Sequence, residues 1–345
     1  MVATSKVIGV LTAGGDCPGL NAVIRGVVSR ATEVHDAEVV GIRNGWEGLM
    51  GGQIQSLDRD AVRGILTRGG TVLGTSRMDP YVHGEGYDSC RRTIQRNGIE
   101  ALVVIGGDGT LRSALRLSEE GLPIVGVPKT IDNDINGTDV TFGFDTAVQI
   151  ASDAIDRLAS TAEAHNRVVI CEVMGRTKGW IATYAGIAGG ADAILIPERE
   201  YDLDEVANIV RARHRRGKSY SIIVVAEGVT PPEGTIVEQK QDAFGFARLG
   251  GVGYAVAAEL EERTGFETRV SVLGHIQRGG TPTAFDRVLA TRLGVAAADL
   301  AVAGETGVMA AVRGTQIVPV PMEEACAEVR GVDNALFDTA QTFFG

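Results

Sequence analysis

Short, almost wholly apolar runs recur along this chain, most of them followed by longer amphipathic stretches, and this alternation limits the fold more than any other feature. The runs are VIGVL (7–11), ALVVIGG (101–107), PIVGV (123–127), RVVICEV (167–173), AILIP (193–197), SIIVVAEG (221–228) and RVSVLG (269–274). Apolar residues at successive positions mark strands buried on both faces, as in a parallel sheet covered by helices. Between them, Val148, Ala151, Ile155 and Leu158 recur at three- and four-residue steps, with Asp153, Asp156 and Arg157 off that stripe. This spacing predicts an amphipathic helix over 146–158. Strand and helix alternating throughout imply a doubly wound α/β architecture. A chain of 345 residues is long enough for two such domains.

In sheets of this kind ligands bind beyond the carboxyl ends of the strands. Polar loops stand at those ends: Gly14-Gly15-Asp16, Gly106-Gly107-Asp108, Pro128 to Asp134, Met174-Gly175-Arg176, Glu227-Gly228, and His275 to Gly280. Six such loops argue for one composite site. A formal charge of −11 and 5% aromatic residues argue against nucleic acid and anionic membranes as partners. Any anionic substrate must therefore meet a local basic cluster.

Cys17, Cys90, Cys171 and Cys326 are scattered without metal-ligand spacing and are expected as buried or half-buried thiols in a reducing cytosol. No run approaches the ~18 uncharged apolar residues that span a bilayer. The start, MVATSKVIGVLTAGGD, lacks a signal-peptide pattern. A soluble, cytoplasmic protein is expected. Residues 229–251, rich in Gly, Pro and charge, break the alternation and read as a surface insertion. The basic run Arg211 to Arg216 reads as a solvated helix face.

Three loops carry chemistry. LTAGGDCPGLNAVIRG (11–26) brings backbone close to a ligand, with a helix starting near Leu20, but matches neither the dinucleotide fingerprint nor the P-loop. In GGDGT (106–110), glycines flank Asp108, so a phosphate and a Mg²⁺ can approach one carboxylate; capping of the next helix by Asp108 is compatible. In PKTIDND (128–134), Pro128 ends a strand, and an extended backbone would put Asp132 and Asp134 on one side with Asn133 opposite. One carboxylate can take a hydroxyl proton while the other helps hold metal, as phosphoryl transfer to an alcohol requires.

The ordered set GGDCPGLNAVIRG, GGTVLGTSR (69–77), GGDGT, PKTIDND, EVMGR (172–176), Ala226-Glu227-Gly228 and ETRVSVLGHIQRGG (267–280) closely resembles the 6-phosphofructokinase family. GGDGT alone also resembles NAD kinases and diacylglycerol kinases; the full set in this order is specific. The resemblance implies two doubly wound, Rossmann-like domains with largely parallel sheets and the active site in the cleft between them. The larger, nucleotide domain would comprise 1–143 with 282–330, and the smaller, sugar-phosphate domain 144–281 with 331–345. It further implies Mg²⁺-dependent transfer of a phosphoryl group to the 1-hydroxyl of fructose 6-phosphate, a step of glycolysis.

By match of motif, Asp132 is the general base, Asp108 and Asp134 organise Mg²⁺, and Gly15 and Arg77 stabilise the transferring group. Thr130 contacts the sugar or γ-phosphate end. Gly109, Thr110 and Lys129 complete the donor side. Met174, Gly175, Arg176 and Glu227 contact the sugar. His275 and Arg278 hold the 6-phosphate together with Arg167 and Arg269, which the family supplies from a neighbouring subunit of a homotetramer.

Members of the family use ATP or pyrophosphate. Pyrophosphate users typically carry Asp after the metal-site Asp and Lys at the position of Lys129; ATP users typically carry Gly at the first. Here Gly109 stands with Lys129, so the markers disagree. An aspartate at 109 would repel the α-phosphate of ATP, and Gly109 does not, which favours ATP; pyrophosphate is the alternative. A non-catalytic sugar-phosphate sensor would have no need of Asp132. Trp46 stands where relatives stack Tyr on the nucleotide. Arg25, Arg59, Lys218 and Asp192 match the family's regulatory set, whereas Ser29 and Ala159 replace arginines and put control by ADP or phosphoenolpyruvate in doubt.

Overall fold

A computed structural model describes residues 6–82, 84–232 and 250–345. In chain order its elements begin β1 (Val7–Thr12), α1 (Leu20–Val34), β2 (Glu38–Ile42), α2 (Gly45–Gly51), β3 (Ile54–Ser56), α3 (Gly86–Arg96), β4 (Ile99–Gly106), α4 (Asp108–Glu119) and β5 (Ile124–Pro128). They continue with α5 (Phe144–His165), β6 (Val168–Val173), α6 (Trp180–Ala188), β7 (Ala193–Leu195), α7 (Leu203–Arg215), β8 (Ser221–Ala226), α8 (Val252–Thr264) and β9 (Thr268–Val272). A 3-10 turn (Gly274–Arg278), α9 (Ala284–Ala303), β10 (Val308–Arg313), β11 (Gln316–Pro321), α10 (Met322–Ala327) and α11 (Asn334–Gln341) close the chain. Each of the seven apolar runs holds a strand, and the predicted helix lies inside α5. The insertion expected at 229–251 falls mostly, over 233–249, outside the described residues.

The chain forms two compact units, Met1–Asp145 with Arg278–Val329, and Thr146–Gln277 with Arg330–Gly345. The first holds a seven-stranded sheet, β11-β10-β5-β4-β1-β2-β3. Its five central strands are parallel, and an antiparallel strand lies at each edge. From β1 the chain runs outward to β2 and β3, then returns to β4 on the other side of β1. The order therefore reverses between β1 and β4, where a doubly wound sheet opens a crevice at the strand ends. Helix α1 crosses α9 backbone to backbone: a Cβ on Gly26 would lie 2.7 Å from the Thr291 carbonyl, and one on Gly294 2.4 Å from that of Val23. Two glycines thus set how closely α1, and the loop before it, sits against the unit.

The second unit holds a four-stranded, wholly parallel sheet, β7-β8-β6-β9. Strands β6 and β8 are buried at every position, which explains their almost wholly apolar sequences, Glu172 being the one charged exception in β6; β9 is an edge and is partly exposed. Here the order reverses between β6 and β9. No helix among the described residues is long and apolar enough to cross a membrane.

Candidate active site

In the first unit the loops after β1, β4 and β5 converge, together with residues 68–77. Gly14 has φ of +82°, a conformation that glycine adopts without steric cost. Its N–H donates to the Ser76 carbonyl at 3.0 Å, and the Thr75 hydroxyl donates to the Gly14 carbonyl at 2.7 Å. This two-way clamp makes Gly15 and Arg77 the next residues along from one pair of bonded peptides. A Cβ on Gly14 would meet Thr110 Oγ1 at 3.2 Å and Lys129 Nζ at 3.5 Å, so the glycine loop, α4 and the β5 loop share one point.

Lys129 is 3% exposed, and its Nζ donates to the Gly15 carbonyl. Burial pushes its pKa below the ordinary lysine value, with Arg278 acting in the same direction and Cys17, Asp132 and Asp16 opposing. The lysine read from sequence as a phosphate contact therefore also ties the β5 loop to the glycine loop. Arg278 Nη1 donates to the Asp16 carbonyl at 3.2 Å and lies 2.7 Å from where a Gly15 Cβ would stand. Its guanidinium thus covers the glycine loop.

The β5 loop departs from the extended course expected of it. Asn133 has φ of +51°, a left-handed conformation that Asn tolerates. Its Oδ1 accepts the Thr141 N–H at 3.0 Å, while the Thr141 hydroxyl donates to the Thr130 carbonyl at 2.8 Å. Thr141, eight residues downstream, therefore bends the segment, a tertiary effect invisible to local alternation. The Asp132 N–H donates to Thr130 Oγ1 at 3.0 Å. Asp132 is 6% exposed, and its Oδ1 is buried with no hydrogen-bond partner among the described residues. Asp134 is buried beside it in sequence.

Asp108 is the first residue of α4, after Gly107 at the cap, and its Oδ1 accepts from Arg112 Nε at 2.9 Å. It does not cap the helix with its side chain. One residue on, a Cβ at Gly109 would meet nothing within 4 Å. Trp46, expected at the nucleotide, is 1% exposed and packed in the core with Leu11, Leu102 and Leu111; no face remains for stacking.

In the second unit, Met174-Gly175-Arg176, Glu227 and His275 follow the carboxyl ends of β6, β8 and β9. Gly175 has φ of +146°, and a Cβ there would stand 2.4 Å from the Lys178 carbonyl, so the turn admits only glycine. The Arg176 N–H donates to Glu227 Oε1 at 2.9 Å, locking two of these loops together. Arg167 and Arg269 lie at the opposite ends of β6 and β9 and share Glu267: Arg167 Nε reaches it at 2.8 Å, and Arg269 also pairs with it. Within the basic run, Arg213 is turned inward onto Asp192 at 2.8 Å, against the expected solvated face. Asp192 also accepts the Ile222 N–H at 2.8 Å and so is structural; burial raises its pKa. Arg25, Ser29, Arg59 and Arg63 line a separate cleft of about 380 Å³ in the first unit.

Several residues were not singled out from sequence. Asn21, Thr12, Thr75 and Thr141 hold the loops of the first unit. In the second, the buried carboxylate of Glu172 accepts the N–H groups of Gly251 and Gly253 at 2.8 and 2.7 Å, at the start of α8. Asn21 and Glu172 had local signals: a polar residue among apolar ones in the first turn of a helix, and a lone carboxylate in an otherwise apolar strand.

A family profile described as phosphofructokinase matches residues 7–301. The pyrophosphate–fructose 6-phosphate 1-phosphotransferase of Amycolatopsis mediterranei is 52% identical over 340 residues, 98% of this chain and 99% of that protein. An ATP-dependent 6-phosphofructokinase of Streptomyces coelicolor is 53% identical over 336 residues, 97% of this chain and 98% of that protein. Among solved structures, the T-state phosphofructokinase of Pichia pastoris superposes with a TM-score of 0.83 at 33% identity, covering 99% of this chain and 37% of that one.

Proposed function

The chain belongs to the phosphofructokinase family and is an enzyme of phosphoryl transfer to fructose 6-phosphate, and we propose that its donor is ATP. Relatives of either donor are equally similar to it, so identity does not choose between them. The observation that carries the donor reading is the open space at Gly109, where neither a side chain nor a charge opposes an α-phosphate.

Asp132 takes the proton of the 1-hydroxyl. A buried carboxylate oxygen without a partner costs about 1–3 kcal/mol, and a substrate hydroxyl supplies the missing donor. Thr130 fixes the peptide that presents Asp132. The Gly15 N–H and Arg77, brought alongside each other by the clamp at Gly14, stabilise charge on the phosphoryl group in transit. Thr110 and Lys129 line the donor side, Lys129 by holding the glycine loop in place.

Asp108 and Asp134 would hold Mg²⁺. Two carboxylates suit Mg²⁺, whose remaining positions would be taken by phosphate oxygens and water. When bound, it neutralises charge on the donor phosphates.

Met174, Gly175, Arg176 and Glu227 bind the sugar, and His275 and Arg278 its 6-phosphate. Arg167 and Arg269 lie a strand length away from Met174 and His275, roughly 20 Å at ~3.3 Å per residue. Within one copy they cannot meet the same phosphate. This supports their action in a neighbouring copy, and with it a homo-oligomer, for which the family resemblance points to a tetramer. The enzyme acts in the cytoplasm. A coupled assay with fructose 6-phosphate and Mg²⁺, offering ATP and pyrophosphate in parallel, tests the donor; preference for pyrophosphate would overturn it.

A further inference from the structure

Asn21 stands in the first turn of α1, is 1% exposed, and spends its whole carboxamide on another loop. Its Nδ2 donates to the carbonyls of Arg68 at 3.0 Å and Gly69 at 3.4 Å, and its Oδ1 accepts the Val72 N–H at 2.9 Å. Further along the same loop, the Thr12 hydroxyl donates to the Gly74 carbonyl at 2.7 Å and meets Thr71 Oγ1 at 3.0 Å. With its proton committed to Gly74, Thr12 accepts from Thr71, whose Oγ1 in turn accepts the Leu73 N–H at 3.2 Å. Residues 68–77 are thus anchored at the start by Asn21, in the middle by Thr12, and at the end by Gly14.

We propose that Asn21, seconded by Thr12, is a positioning residue for phosphoryl transfer, holding the 68–77 loop so that Arg77 meets the phosphoryl group beside Gly15. This inference rests on the roles of Arg77 and Gly15 given above. Asn21 touches no reacting atom in this scheme. It matters because transition-state charge stabilisation falls steeply when a donor is misplaced by an ångström, on the order of a hundredfold. Ground-state binding of the substrates depends on other loops and should change little.

The test compares wild type, Asn21→Ala, Arg77→Ala and the double variant in steady-state kinetics with fructose 6-phosphate and Mg²⁺, on whichever of ATP or pyrophosphate the wild type uses. Asn21→Ala should lower kcat by about 30- to 100-fold with both KM values within about threefold. On the Arg77→Ala background the same change should cost less than about threefold, because the residue being positioned is gone. Thr12→Val, nearly isosteric, should show a milder form of the same kcat loss and serves if Asn21→Ala fails to fold. A folded Asn21→Ala or Thr12→Val enzyme with wild-type kcat overturns the inference, as does a full multiplicative loss in the double variant. A wild-type protein inactive with both donors would instead refute the functional reading beneath it.

Discussion

Replacing Gly109 by Asp tests the donor assignment with little risk to the fold. The new Cβ would meet no atom within 4 Å, so the side chain needs no repacking. Position 109 is the second residue of α4, where a helix N-terminus favours a carboxylate by about 0.3–1 kcal/mol and Asp exceeds Gly in helix propensity by a few tenths of a kcal/mol. The variant should therefore melt at the wild-type temperature or slightly above it. Against an α-phosphate 4 Å away, the charge costs ~4 kcal/mol at an effective dielectric of about 20 and ~1 kcal/mol in bulk water. These bounds correspond to a fall in kcat/KM for ATP between about fivefold and about a thousandfold. Because the site opens to solvent beside Gly109, the middle of that range is expected. Initial rates over a range of ATP concentrations, at fixed fructose 6-phosphate and Mg²⁺, measure it. ATP kinetics within twofold of wild type, in a variant with unchanged melting temperature, would refute the argument from space and charge.

Other substitutions and conditions report on the remaining assignments. Asp132→Asn should lower kcat by about 10²- to 10⁴-fold while sparing the KM for fructose 6-phosphate; near-normal turnover would show that Asp132 is not the base. An Arg167→Ala/Arg269→Ala chain and an Asp132→Asn chain, each weak alone at low fructose 6-phosphate, should recover turnover when co-assembled, since one mixed site regains both functions; no recovery in verified mixed oligomers would argue against arginines shared between copies. Burial raises the thiol pKa values of Cys90 and Cys171 to about 12 and of Cys326 to about 11, and that of Cys17 as well. A raised folded value means the native state holds its proton more tightly, so stability is full below about pH 9 and declines as pH climbs toward 11–12. Thermal melts across pH 8–11 and thiol-reagent titration, silent until unfolding, check this; rapid native labelling would contradict it.

The legible and illegible parts of the fold differ for a physical reason. Strands buried on both faces announce themselves, because nearly every position is apolar; β8 is the clearest, and β6 follows it apart from Glu172, whose buried carboxylate is satisfied by backbone N–H groups. The antiparallel edges β3 and β11 do not, since Ile54–Ser56 is three residues and Gln316–Pro321 is half-exposed and broken by prolines. Trp46 matches by position a Tyr that relatives place on the nucleotide, but it is buried in a core cluster drawn from segments distant in sequence. Asn133 was read by alternation, and the partner that bends the chain there is Thr141.

Sequence by itself determined that this chain is a doubly wound α/β enzyme whose polar loops sit at strand ends, and which residue types those loops carry, because burial pattern and glycine placement are local properties. Tertiary structure alone decided what each side chain touches. Lys129 closes on a carbonyl 114 positions away, Asn21 on a loop 47 to 51 positions away, and Arg167 and Arg269 on Glu267 at the strand ends remote from Met174 and His275. Those partners follow from strand order and from which backbone groups remain unpaired once the sheets form, and no local pattern of residues encodes either.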